Sequence, residues 1–127
     1  MIQKLELEVK ETIEKLIKTA TNFDVETLNS IYHNNLQVIM INNLGEKMIS
    51  SKQMFIDLFK TKRDNKDVPL NTWSEFHHIE AKGHSAHVIL SRIVNLTGKE
   101  QKIILSIDLV KEDNRWQVTR EVIFNSL

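Results

Sequence analysis

Three glycines and a single proline punctuate the 127 residues of this chain. With so few breakers, most of the length must run in long, uninterrupted helices and strands. Turns must fall on those four residues or on side chains that can stand in for them. Gly45, Pro69, Gly83 and Gly98 divide the chain into a helical front and a strand-rich back. No repeat, low-complexity tract or linker breaks that plan, so residues 1–127 read as one domain. Composition excludes several classes outright. Hydrophobic residues at 41% are too many for a disordered chain. The lack of cysteine removes disulfides, thiolate nucleophiles and cysteine-held zinc. Seventeen basic residues balance 17 acidic ones, without the basic footprint of a nucleic-acid binder. No apolar run approaches the ~20 residues that span a membrane, so neither nucleic acid nor membrane is an expected partner. The first eight residues are acidic within their first turns, unlike a signal peptide, and the expected location is cytoplasmic.

In the front, Ile2, Leu5, Val9, Ile13, Leu16 and Ala20 form an apolar stripe at helical spacing. Asp24 is a good N-cap for a second helix, with Phe23 and Leu28 placed as a hydrophobic staple and Val25, Leu28, Ile31 and Tyr32 on its apolar face. Leu36–Ile41 reads as a short strand ending near Gly45. Ser50 and Gln53 fit a capping box, with Ile49 and Met54 as its staple. The third helix they open carries Met54, Phe55, Leu58 and Phe59 toward the core. In the back, Leu70–Ala81, His84–Leu96, Gln101–Lys111 and Arg115–Phe124 are β-branched or aromatic-rich. Lys82-Gly83, Thr97-Gly98-Lys99 and Asp113-Asn114 have hairpin composition. Helices followed by a run of hairpins argue an α+β layer fold.

A two-residue turn at Lys82-Gly83 places Trp73, Glu75, His77, Ile79, Ala86, Val88, Leu90 and Arg92 on one sheet face, and Phe76, His78, Glu80, Ser85, His87 and Ile89 on the other. Neither face is fully polar, so the sheet needs its own helices on one side and has room for a second subunit on the other. The last hairpin has two readings. A two-residue turn at Asp113-Asn114 puts Ile103, Leu105, Ile107 and Leu109 with Trp116, Val118 and Val122. A three-residue loop with Asn114 left-handed and a bulge puts Ile104, Ser106, Asp108 and Val110 with Trp116, Val118, Arg120 and Val122. That slip decides whether Asp108 points inward. The tolerance of asparagine for left-handed angles favours the bulged loop.

The stretch Asp24–Val38, the Ser50–Phe55 helix start, the Lys82–Ala86 hairpin and the closing Asp113–Val118 together resemble the nuclear transport factor 2-like superfamily, in order and spacing, over essentially the whole chain. This superfamily includes SnoaL-like polyketide cyclases, ketosteroid isomerase, scytalone dehydratase and limonene epoxide hydrolase. The resemblance implies a cone: a curved antiparallel sheet wrapped around three helices from the N-terminal half, with an internal pocket and a homodimer formed through the outer sheet face. It also agrees with the bulged last hairpin. The isomerase pattern transfers poorly. Its general-base position falls at Met40 and its oxyanion tyrosine near Leu16, and neither can do that chemistry. Its buried acid has a counterpart at Asp108.

A ligand wall of Tyr32, Trp73, His77, Val88, Leu90, Arg92, Asp108, Trp116 and Arg120 follows. His77 and Asp108 are the candidate proton-handling pair, because imidazole titrates near neutral pH and a buried carboxyl can stay neutral as a donor. Arg92 and Arg120 can clamp a carboxylate through their donor forks. Each has a plainer reading: Asp108 ion-paired to an arginine, His77 hydrogen-bonded at the rim, Trp116 closing the core. His78 and His87 face each other near Glu80 in the assumed register, which suits an interface face better than a metal site. The expectation is a homodimer that binds a small apolar or carboxylate-bearing molecule, without metal or cofactor. The alternatives are a cofactor-free isomerase, cyclase or dehydratase, and a ligand-free dimeric interaction module.

Overall fold

A computed structural model of the chain describes residues 3–95 and 99–125. Its elements run α1 (Lys4–Thr21), α2 (Val25–Ile31), β1 (Tyr32–Ile41), β2 (Lys47–Ser51), α3 (Lys52–Asp64), β3 (Ser74–Lys82), β4 (Ser85–Val94), β5 (Gln101–Glu112) and β6 (Arg115–Asn125). The expected positions of Ile2, Leu96, Thr97 and Gly98 lie outside the described residues.

The helices form where the apolar spacing demands. Val9, Ile13, Leu16 and Ala20 of α1 are buried at i, i+4, i+7 and i+11. The helix stops where Phe23 turns left-handed, at a φ of 53°. Asp24 then caps α2, its carboxylate accepting from the Thr27 amide at 3.3 Å and the Thr27 hydroxyl at 2.7 Å. Phe23 and Leu28, placed as the staple of this entry, are both buried. The cap of α3 is Ser51, whose hydroxyl accepts from the Met54 amide at 3.2 Å, and not Ser50. Residues Lys47–Ser51 are already engaged as β2, an unforeseen strand, and this moves the helix start one residue on. Ile49 and Met54 are consequently exposed and make no staple, and α3 buries Phe55, Ile56 and Phe59. Lys52 at the start of α3 donates to the carbonyls of Asn29 and Tyr32, both at 2.9 Å. It thereby satisfies the end of α2 and anchors the first residue of β1.

The six strands lie in the order β2-β1-β6-β5-β4-β3. Every pairing is antiparallel except β1 with β6, so the sheet is mixed and not purely antiparallel. The helices cover one face, and the core is formed between them and inward residues such as Val38, Val88, Leu90, Ile107, Leu109 and Val118.

Two bulges set the register of the hairpins, and a further irregularity lies between Tyr32 and Gln37 where β1 meets β6. The β3–β4 turn is Gly83-His84, one residue later than expected, with Gly83 at a φ of 61°. This keeps Ile79 and Val88 on the same inward face. An irregularity between Phe76 and His78 then leaves His77 as an extra residue, which turns Phe76 inward and His77 outward, reversing their expected sides. At the last hairpin Asp113 and Asn114 both have positive φ, 54° and 62°, the pattern of a two-residue type I′ turn. The three-residue loop favoured from sequence is therefore not formed. The bulge sits further along, between Asp108 and Leu109 on β5, where Thr119 is the extra residue of β6. Val118 faces in opposite Leu109, Arg120 faces out opposite Asp108, and Glu121 faces in opposite Ile107. Because Asn114 carries a left-handed cost that glycine avoids, Asn114→Gly should raise the melting temperature and Asn114→Ala should lower it. The two variants should differ by about 1 kcal/mol in chemical denaturation.

Candidate functional site

Among the described residues, the polar side chains that line the interior cavity are Tyr32, Arg92 and Glu121, all at least nine-tenths buried. Each arrives there for a local reason. Tyr32 is the first residue past α2, where the chain turns into β1, and its ring packs on Phe55 with centroids 5.8 Å apart. Arg92 extends from the inward face of β4. Glu121 points inward because of the extra residue at Thr119, whose hydroxyl donates to the Asp108 carbonyl at 3.2 Å.

These three line an internal cavity of about 30 Å³, otherwise walled by apolar side chains such as Leu16, Phe59, Leu90 and Leu105. That space suits a water or a small head group and is not a ligand-sized pocket. The ligand-sized space lies next to it, in an open groove of about 440 Å³ at the end of the sheet where β1, β4 and β6 finish. Met40 and Met48 line that groove, and Val94, Ile103 and Ile123 belong to both spaces.

The electrostatics of the trio are strained. Burial pushes the Glu121 carboxyl up to about 7, against the hydrogen bond from Tyr32 and the charge of Arg92, which both pull it down. Burial, and then the charge of Glu121, raise the Tyr32 phenol well above its ordinary value. Burial lowers Arg92, while Glu121 and Tyr32 counteract. Arg92 donates through Nη2 to the Asn71 carbonyl at 3.0 Å and to the Thr21 hydroxyl at 3.4 Å, but its buried Nε has no partner.

Of the residues expected on the ligand wall, Tyr32, Leu90 and Arg92 line the cavity. Val88 is fully buried on the same face but outside the cavity wall. Trp116 is buried at the other end, where its indole N–H donates to Glu8 at 3.3 Å. Trp73 is partly exposed ahead of β3, with the Lys102 ammonium 5.4 Å from its ring centre and not Arg92. His77, Asp108 and Arg120 lie on the outer sheet face. His77 Nε2 meets the Ser91 hydroxyl at 2.7 Å. Asp108 Oδ1 meets His87 Nδ1 at 2.6 Å, and His87 Nε2 meets the Ser106 hydroxyl at 3.2 Å. That chain has the order of an acyl-transfer triad. It lies mid-sheet, however, where the ladders on both sides occupy the backbone amides, so no pair is free to receive an oxyanion. His78 does not face His87; Glu80 does. Among the described residues no cluster of three or more histidines and carboxylates gathers to hold a metal, and no helix is long and apolar enough to cross a membrane.

Glu121 escaped the sequence reading. In the unbulged alternation Val122 faces in, and nothing in Val118–Ile123 marks Thr119 as the extra residue. The adjacent apolar pair Val122-Ile123 was the one available sign that the alternation changes phase there.

The curved six-stranded sheet over three helices, with the last strand inserted beside the first, has close counterparts among solved structures. An NTF2-like protein of unknown function from Shewanella baltica OS155 superposes with a TM-score of 0.78 at 12% identity, over 100% of this chain and 99% of that one. One from Silicibacter pomeroyi DSS-3 gives 0.76 at 13%, over 94% of each chain. An NTF2-like protein from Cytophaga hutchinsonii ATCC 33406 gives 0.74 at 15%, over 98% of this chain and 100% of that one. This is the nuclear transport factor 2-like fold. No family model and no curated protein sequence matches the chain. At these identities the nuclear transport factor 2-like neighbours share the architecture and carry no activity across.

Glu121 gives the fold a pH signature. The folded protein holds this proton more tightly than the unfolded chain, whose carboxyl titrates near 4.5. The associated stabilisation is full below that value and is lost as pH rises through about 7. Thermal melts of the wild type and Glu121→Gln from pH 5 to 8 should show the wild type losing on the order of 3 kcal/mol relative to the variant. A constant difference would mean that Glu121 does not titrate in this window.

Proposed function

We propose that this domain binds a small, mainly apolar molecule at the open end of its cone, in the groove beside Met40 and Met48, with Tyr32, Arg92 and Glu121 as the polar floor beneath it. The observation that carries this reading is the buried guanidinium of Arg92 in the wall of the cavity, its Nε without a hydrogen-bond partner, next to an acid whose charged form burial disfavours. A buried ionic group generally stabilises a fold less than well-packed apolar residues of similar volume. A donor left without an acceptor adds a further cost of about 1–3 kcal/mol. Such an arrangement is expected where an apolar pocket converges on a few polar groups that fix a ligand. A neutral fluorescent probe, N-phenyl-1-naphthylamine, should bind saturably at one site per chain. Val94→Trp, which enlarges a side chain that lines both groove and cavity, should weaken that binding by at least about tenfold while circular dichroism shows an intact fold. Unchanged probe binding in a folded Val94→Trp protein would contradict the proposal.

The same carboxyl, poised near neutrality, suits a general acid–base role, so a cofactor-free isomerase or dehydratase reading attaches to Glu121 and not to His77 or Asp108. A homodimer through the outer sheet face is supported by a separate observation. Ile104 and Phe124 are cross-strand partners on that face, Ile41 flanks Phe124 on the next strand, and Ile104 and Phe124 stay 38% and 40% exposed. Their burial by a second copy removes apolar surface from water. Sedimentation of Phe124→Asp should then show monomer under conditions where the wild type sediments as dimer. A wild-type monomer would exclude that assembly.

A further inference from the structure

The floor of the cavity specifies the ligand's head group by its charge. We infer that the site takes a small amphiphile with a single carboxylate head, seated in the cavity against the Arg92 guanidinium and beside Glu121, its apolar tail running into the mouth groove. This rests on the reading that the groove and cavity form one ligand site.

The argument is a count of charges and donors. Around the cavity, α1 contributes Ile13, Leu16, Ile17 and Ala20, α3 contributes Phe55 and Phe59, and β5 contributes Ile103, Leu105 and Ile107, all apolar. The titratable and charged groups facing Glu121 are therefore Tyr32, from the start of β1, and Arg92, from β4. With Glu121 neutral the site carries one positive charge, and with Glu121 ionised it carries none. In neither state is it negative, so a cationic head would meet Arg92 without a compensating charge. A carboxylate supplies a counter-charge for the guanidinium whenever Glu121 is neutral, and an acceptor for guanidinium N–H groups. Charge-assisted hydrogen bonds are roughly twice as strong as neutral ones. Its second oxygen can accept from the Glu121 O–H, which exists only when that carboxyl is protonated. The interior volume of about 30 Å³ matches a head group and leaves no room for a ring or chain, which must stay in the groove of about 440 Å³. The partition of Val94, Ile103 and Ile123 is apolar on both sides and suits the first methylenes of a tail.

The arrangement couples binding to proton uptake. An anionic ligand beside an ionised Glu121 would be repelled, so each ligand bound brings Glu121 to its neutral form. Affinity should be constant in mildly acidic solution and fall as pH rises through neutrality.

Isothermal titration calorimetry of the full chain with octanoate, 1-octanol and octylamine, at pH 6 and pH 8.5 and in two buffers of different ionisation enthalpy, tests this directly. At pH 6 octanoate should bind at least about tenfold tighter than octanol. Its affinity should drop by at least about tenfold at pH 8.5, where binding takes up close to one proton per ligand. Glu121→Gln, which keeps a neutral head-group partner, should bind octanoate with an affinity that no longer depends on pH. Arg92→Met should lose the preference for octanoate over octanol; if that variant does not fold, Glu121→Gln alone decides. Octanol or octylamine binding as tightly as octanoate, or octanoate binding independent of pH in the wild type, would overturn the carboxylate inference while leaving the ligand site standing. Failure of all three compounds to bind or to displace N-phenyl-1-naphthylamine would overturn both.

Discussion

One extra residue in the last strand, Thr119, decides whether the interior receives a carboxylate. Without it, the alternation from the Asp113-Asn114 turn would carry Arg120 and Val122 inward and leave Glu121 outside. With it, Glu121 enters the cavity beside Arg92 and Tyr32, and Arg120 is left opposite Asp108 on the outer face. The slip costs one rung of the β5–β6 ladder, and the Thr119 hydroxyl returns part of it by donating to the Asp108 carbonyl. The acid of the interior depends on that local irregularity. Bulges re-aim side chains at functional sites in many sheets, and a bulge that places a lone acid in an apolar cone fits that use.

The two ends of the cone are finished differently. At the narrow end the polar groups are mutually satisfied: Glu8 accepts from Lys111 at 3.2 Å and from Trp116 at 3.3 Å, and these contacts hold its carboxyl below the ordinary range. Arg115 donates to the Ser30 carbonyl and ties the last hairpin to α2. Toward the wide end, Arg92 keeps an unused donor and Glu121 a disfavoured charge, and an open groove lies beside them.

The layer plan was legible because it rests on periodicity. The α1 stripe, the Asp24 cap and four long strands follow from apolar spacing and capping chemistry, and those devices act locally. The overall likeness to nuclear transport factor 2-like proteins was legible for the same reason, since it is a matter of element order and spacing. What the sequence did not reveal depends on cross-strand register. The two-residue last turn put Asp108 on the outer face. The bulge at His77 turned a predicted wall residue outward, and the bulge at Thr119 exchanged Arg120 for Glu121. Neither residue is glycine or proline, so the breakers that marked the turns so well were silent about both slips. The β2 strand was missed because Lys47–Ser51 is short and polar, and its pairing with β1 is visible only in three dimensions. Tyr32, Leu90 and Arg92 line the cavity, and Leu90 and Arg92 face inward as the strand alternation expected.

The claim on which the rest stands is that Glu121 is an interior acid, poised near neutrality by burial against Arg92 and Tyr32. A carbon-13 titration of the glutamate side-chain carboxyls, with the Glu121 resonance assigned by its loss in Glu121→Gln, measures this directly. The account predicts a midpoint of about 7 for that resonance. A midpoint in the ordinary carboxylate range, near 4.5, would contradict the claim that burial holds Glu121 near neutrality.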